Sequence, residues 1–221
     1  MTGFHWNERG ELSADLLDEV DWLDHGFGTR NSAPPVWPIA TVRQIHSVEI
    51  IDAAGVTGER GAADALISNT AGLAVGVRTA DCLPILLVDT KHRAVAAVHA
   101  GWRGTVGGIA ERAISLLQQM YGTNPDEVRA AVGPGIGKCC FEVGPEVARE
   151  FSRWHPELAA TDAKHRLDLV DINHRQLKGA GVKPENISLS DLCTVDRIDI
   201  LYSFRKEREK AGRMLAWIGI R

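Results

Sequence analysis

His46, Cys82 and His99 are the residues of this chain whose types and settings could do chemistry together. Two imidazoles and one thiolate are the donors of a catalytic zinc centre that keeps its fourth position open for water or substrate. The three stand 36 and 17 positions apart. Paired zinc-finger ligands stand only about two to five residues apart. Only a fold that returns to one corner can therefore assemble this set. Each residue also has a plainer role. A histidine in an apolar strand is commonly a hydrogen-bonded core residue, and free cysteine is a common small core side chain. His99 shifts the balance, because it ends the apolar run AVAAV and opens the glycine-rich turn AGWRGTVGG. Glycines let a backbone approach a ligand closely, and a helix N-terminus offers free N–H groups to an anion. Arg103 and Gly104 lie in that turn, so Arg103 could add a bidentate phosphate contact. GWRGTVGG lacks the terminal Lys-Ser/Thr pair of a phosphate-binding P-loop.

Strands and turns must hold these residues. The segments 41–51, 63–69, 73–79, 82–90 and 94–100 are short, apolar or β-branched, and separated by turn residues, which predicts successive strands. The run GLAVGVRTADCLPILLV is almost continuously apolar, which predicts cover on both faces. Residues 31–38 hold three prolines and are expected to be irregular. After Gly104, apolar residues at Ile109, Ala113, Leu116, Leu117 and Met120 predict a helix stopped by Gly122. A strand is expected in 126–136, a helix opening near Pro145 and closing before Pro156, another within 168–182 ending at Gly179, and closing strands over 187–194, 198–204 and 214–220. Strands first, then strands mixed with helices, predict a single α+β domain over 1–221 with a mixed sheet rather than a doubly wound parallel one.

Composition bounds the rest. With 44% hydrophobic and 24% charged residues, the 221-residue chain can bury a sizeable core. A net charge of −4 gives no electrostatic case for nucleic acid. The stretch MTGFHWNERGELSADLLDEV has no apolar core of a signal peptide, and no segment is long and apolar enough to span a membrane. Cysteines at 82, 139, 140 and 193 show no disulfide spacing, so reduced thiols in a cytoplasmic protein are expected. GPGIGKCCFEVG (133–144) is either a strand-to-helix connection with buried cysteines or a pocket wall. Of the basic run 202–214, Lys206, Arg208 and Lys210 read as solvated, whereas Arg205 and Arg213 flank apolar strands and suit a pocket.

The motifs QIH, TADCLPILL, AAVHAGWRG, GPGIGKCCFEVG and YSFRKE–AGRM, in order after HGFGTR (25–30), together resemble the YfiH/YlmD family of laccase-domain proteins. The resemblance runs over nearly the whole chain. It implies an α+β sandwich flanked by helices and a purine nucleoside phosphorylase that also accepts methylthioadenosine and deaminates adenosine. Its substrates would be a purine nucleoside and phosphate. It implies zinc on His46, Cys82 and His99. Phosphate would then meet Arg43, Arg103 and the helix N-terminus after Gly104, with Arg205 at the pocket, and Asp81 would move a proton in deamination. The stretch between Arg30 and His46 is shorter than in many members, and Arg43 is the arginine left to serve there.

Two other chemistries suit the same residues. Cys82 as nucleophile with His99 as base would make an amidase, which fits a peptidoglycan-precursor editing role described for one family member. Copper on the His-Cys-His set would suit phenol oxidation, but a multicopper oxidase needs paired histidine motifs, and the eight histidines here include no His-x-His. A fourth ligand from Cys139 or Cys140 would instead close the site into a structural one.

Overall fold

The computed structural model describes residues 3–221. Met1 and Thr2, the start of the stretch expected to carry no signal peptide, lie outside them. Seven strands form one sheet in the spatial order Phe4–Trp6, Leu12–Ala14, Leu23–Phe27, Met214–Ile220, Ala74–Thr79, Ile39–Arg43 and Gly58–Ala62. Six form a second: Ile187–Leu189, Val128–Val132, Leu83–Asp89, Ala94–Ala100, Ala65–Ser68 and Ile50–Asp52. Both sheets are mixed. Ile39–Arg43 runs parallel to its two neighbours, while the long central pairs are antiparallel.

The expectation of a strand covered on both faces holds at Leu83–Asp89, whose seven residues are all buried. Side chains alternate across a strand. Leu83, Ile85 and Leu87 enter a core shared with Ile109, Ile114 and Leu117 of the helix Ile109–Tyr121 and Ile172 of the helix Leu169–Gly179. Leu86 and Val88 enter a second core with Val75, Val77, Ala216 and Ile218 of the seven-stranded sheet. The order is therefore sheet, sheet, helices: an α+β sandwich flanked by helices. Truncating Ile85, which is fully buried in this core, to alanine would cost about 2–5 kcal/mol through the cavity left behind.

Several elements differ from their sequence expectations. The strand predicted over 41–51 breaks at Arg43 and resumes at Ile50, because the chain there crosses from one sheet to the other. The helix predicted after Gly104 is two helices, Trp102–Val106 and Ile109–Tyr121, separated where Gly108 takes a left-handed conformation (φ 73°). Gly122 ends the second with φ 72°, as expected. Met120 is half exposed; the buried face runs through Ile109, Ala110, Ala113, Ile114 and Leu117. The helix expected to open near Pro145 and close before Pro156 covers only Pro145–Glu150, followed by turns and a short 3-10 segment at Pro156–Leu158. Only Ile187–Leu189 of 187–194 is strand.

Residues 198–204 are not a strand. The N–H groups of Ile200 and Leu201 turn back to the carbonyl of Arg197, and Ser203 caps the short helix Phe204–Glu207. The apolar segment IDILYSF forms a turn that buries Leu201, not a strand of a sheet. Among the described residues no helix is long and apolar enough to cross a membrane.

Candidate metal centre

Sheet crossings and strand ends bring the predicted residues to one corner. After Arg43 the chain leaves the seven-stranded sheet and enters the other at Ile50, and His46 lies on that crossing. After Thr79 it crosses again to reach Leu83, carrying Asp81 and Cys82. His99 is the penultimate residue of Ala94–Ala100 and lies opposite Pro84, two residues beyond Cys82. One nitrogen of each histidine and the Cys82 sulfur all lie within 4.8 Å of one another. The two rings meet edge to face with centroids 5.0 Å apart. Gly101 makes room for them: a Cβ there would come 2.9 Å from Cys82 Sγ and 3.4 Å from His46 Cδ2.

Asp64, which the sequence reading passed over, organises this corner. It is fully buried at the start of the strand Ala65–Ser68. The backbone N–H groups of Ile45, His46 and Ser47 donate to its carboxylate at 3.3, 3.0 and 2.6 Å, and the Ser47 hydroxyl donates at 2.8 Å. His99 Nδ1 lies 2.8 Å from Asp64 Oδ1. That bond leaves Nε2 of His99 as the free ligand atom, the arrangement in which a carboxylate fixes the tautomer of a metal-bound histidine. The same carboxylate holds the His46 loop, where His46 has a positive φ of 59°. Asp81 is a second such residue, with φ 90°. A non-glycine residue in this region costs on the order of 1–3 kcal/mol and persists only where its surroundings impose it. The sequence signal for Asp64 was an acid flanked by alanines at the head of an apolar strand.

Charge is concentrated here. Burial alone would push the Cys82 thiol up, but hydrogen bonding and charge from His46 and His99 prevail and bring it down to about 6. Burial opposes the charged form of His99, yet its bonds to Asp64 and Cys82 raise it to about 9. Asp64 is held at about 2, because the bonds from His99 and Ser47 outweigh its desolvation. Without metal, the corner is thus a thiolate–imidazolium–carboxylate chain.

The corner opens into a cavity of about 620 Å³. Trp102, Ile136, Phe141 and Phe204 give it apolar walls, and Arg78, Arg205, Arg208 and Arg213 line it with positive charge. Asp81 lines it too. Its Oδ1 accepts the Thr194 hydroxyl at 2.6 Å and its Oδ2 the Arg205 backbone N–H at 2.6 Å. Gln44 fixes the opposite edge, pairing through its side-chain amide with the N–H and C=O of Arg78 at 2.8 and 2.7 Å.

Of the residues expected to bind phosphate, Arg205 lines the cavity, but Arg43, Arg103 and Gly104 do not. Arg43 is exposed at the end of its strand, and Arg103 is exposed with its guanidinium stacked 4.2 Å over Trp102. Gly104 lies inside the five-residue helix Trp102–Val106 rather than at a helix start, packed close to the carbonyls of His99 and Ser47. Arg208, read from sequence as solvated, lines the cavity with Arg213. The 133–144 segment supplies pocket wall through Ile136 and Phe141. Cys139 and Cys140 do not join the His46–Cys82–His99 set; they gather instead with Cys193 and Asp196.

The donors suit a tetrahedral ion. Zinc at its usual distances would hold such atoms about 3.3–3.7 Å apart. Two imidazoles, one thiolate, a supporting carboxylate and room at Gly101 meet that need, and all three donor residues line the cavity. A blue-copper centre would add a weak axial thioether, and among the described residues no methionine lines the cavity.

Known proteins share this architecture. The family model described as "Multi-copper polyphenol oxidoreductase laccase" matches residues 28–221. A purine nucleoside phosphorylase of Bacteroides thetaiotaomicron is 37% identical over 163 residues, covering 71% of this chain and 60% of that protein. The purine nucleoside phosphorylase YfiH of Escherichia coli is 34% identical over 216 residues, covering 94% and 84%. An adenosine deaminase of an unknown prokaryotic organism is 40% identical over 162 residues, covering 70% and 61%. The chain thus spans about three fifths of the Bacteroides relative. The crystal structure of YlmD from Geobacillus stearothermophilus superposes with a TM-score of 0.87 at 26% identity, covering 100% of both chains. With a family match running from residue 28 to the last residue, this chain belongs to the "Multi-copper polyphenol oxidoreductase laccase" family, that of the YfiH and YlmD proteins.

Proposed function

We propose that this chain is a zinc-dependent purine nucleoside phosphorylase for adenosine, inosine and methylthioadenosine, and that it also deaminates adenosine. The observation that carries this reading is the opening of the His46–Cys82–His99 corner into a cavity with both aromatic walls and arginines. A cavity of this size suits a small ligand such as a nucleoside. The names of the relatives, purine nucleoside phosphorylase and adenosine deaminase, support the reaction class.

His46, Cys82 and His99 would hold the zinc, which when bound supplies Lewis-acid polarisation of an oxygen at its open position. The rest falls to the chain's own side chains. Phe141, Phe204 and Trp102 offer faces for the purine. Arg78, Arg208 and Arg213 hold the phosphate, replacing Arg43 and Arg103 in that role. Arg205 sets the wall, donating from Nη1 to the carbonyls of Cys140 and Glu142. Asp81 keeps a lone pair on each oxygen beside its two bonds, so it can take a proton from substrate during deamination. On this reading the chain is one catalytic unit working in the cytoplasm, in keeping with four free thiols.

A second reading has its own support. Cys82, His99 and Asp64 also stand as nucleophile, base and orienting carboxylate. They would make a cysteine amidase, such as one that edits peptidoglycan precursors. His46 has no part in that triad, which favours the metal reading. Incubation with adenosine, inosine and methylthioadenosine, with and without phosphate, decides between them. The phosphorylase releases free base and sugar phosphate only when phosphate is present, and forms inosine from adenosine without it. Base release indifferent to phosphate means a hydrolase, and no reaction with any nucleoside leaves the amidase.

A further inference from the structure

Cys139, Cys140, Cys193 and Asp196 form a second set of ligand atoms, all within 4.8 Å of one another, on the outside of the cavity wall. Cys139 and Cys140 belong to the loop that supplies Ile136 and Phe141 to the cavity, and Cys193 and Asp196 to the loop after Ser190. The Cys139 and Cys140 thiols point at separate oxygens of Asp196, at 3.2 and 3.4 Å. The Gly137 N–H points at Cys193 Sγ at 3.3 Å. Gly137 is small enough to let the loop close over the sulfurs: a Cβ there would stand 3.2 Å from Cys139 Sγ and 3.3 Å from Cys193 Cβ. The backbone draws the two loops together as well, since the Thr194 N–H donates to the Gly135 carbonyl at 3.0 Å.

The geometry points to a second metal centre, in which three thiolates and one carboxylate from these two loops hold a zinc-type thiophilic cation. Cys139 is exposed and Asp196 is exposed, so this is not a set of core thiols packed for volume. Adjacent cysteines are poorly placed to bridge each other, so Cys139 and Cys140 do not explain themselves as a disulfide. Four protein donors close the coordination of zinc, which marks a structural site, unlike the three-donor corner around Cys82. Its place says what it would secure. Thr194, next to Cys193, holds Asp81, and the carbonyl of Cys140 accepts from Arg205. A metal here would fasten the wall that carries Phe141 to the loop that positions Asp81.

Metal content measured on protein purified under reducing conditions with added Zn²⁺ tests this directly. Wild type should hold two zinc ions per chain. Cys82→Ser and Cys193→Ser should each hold one, and the double variant none. Because Cys193 is buried and its loss can disturb folding, Cys139→Ser and Asp196→Asn, both at exposed positions, repeat the test. Each should lose most of the second equivalent while circular dichroism stays unchanged. Cobalt in Cys82→Ser should show thiolate charge-transfer absorption that is largely lost in Cys82→Ser/Cys139→Ser. One zinc in wild type, unchanged in Cys193→Ser and Cys139→Ser, overturns the proposal. So does a mass two hydrogens light with Cys193 in a disulfide. These readouts count metal rather than turnover, so they stand whether or not nucleosides are the substrate.

Discussion

The two sulfur-bearing corners of this molecule use similar donors in opposite ways. Around Cys82, strand ends and sheet crossings place three ligands, a fully buried carboxylate supports them from behind, and the front is open to the cavity. Around Cys193, two loops place four donors, of which Cys139 and Asp196 are exposed and Cys193 is buried. A pair of packed sheets fixes atoms tightly while leaving one side free, which suits chemistry. Two loops drawn together around four donors leave no side free, which suits fastening. Supporting hydrogen bonds differ in the same sense. Asp64 serves both His46 and His99, whereas Asp196 is itself one of the proposed ligands.

The largest expected effect separates the corners outright. Cys82→Ala should lose the zinc of the open site and all measurable nucleoside turnover, while retaining the second metal equivalent. Loss of both equivalents in atomic emission measurements would mean that the corners are one system. Asp64→Asn comes next. It keeps size but removes the charge that orients His99 and the His46 loop, so zinc affinity or activity should fall about 10–100-fold. Competition with a chelator reads this, and unchanged affinity would deny Asp64 its supporting role.

A third contrast lies in the thiols of metal-free protein. Cys82 sits at about 6, whereas loss of solvent around its sulfur and the facing Asp196 push Cys139 well above the usual thiol range. Thiolate is the reactive form. Alkylation of Cys82 should therefore rise as pH climbs through about 6. At pH 7 it should outpace Cys139 by about tenfold or more, even though Cys139 is the more exposed. Peptide mass mapping after timed iodoacetamide treatment checks the order, and faster labelling of Cys139 would reverse it.

The smallest contrast is between arginines. A charged hydrogen bond contributes about 1.5–3 kcal/mol, so Arg208→Ala should raise KM for phosphate about tenfold with zinc content unchanged. Arg103→Ala, outside the cavity, should change it less than about twofold. Equal effects would return phosphate to the glycine-rich turn.

His46, Cys82 and His99 could be read from sequence because donor type and a histidine-to-glycine strand ending are local signals. The buried strands were legible for the same reason: uninterrupted apolar runs have few other uses. Asp64 was not, since its meaning comes from four donors that reach it across the sheet crossing. Arg78 and Arg208 were hidden because only the turn at 197–203 and the pairing of Gln44 with Arg78 bring them to one cavity. The 198–204 turn itself carries a strand-like pattern. In the structure Ser203 accepts from the Lys206 N–H and caps the helix Phe204–Glu207 instead.

The central claim is that the open corner, not the closed one, is where nucleosides react. Return of zinc to metal-stripped Asp196→Asn protein, followed by inosine phosphorolysis, tests it most directly. Hypoxanthine formation should climb from near zero and level off at one zinc ion per chain. Full activity in the stripped protein, or activity that stays absent after one equivalent has bound at Cys82, would contradict it.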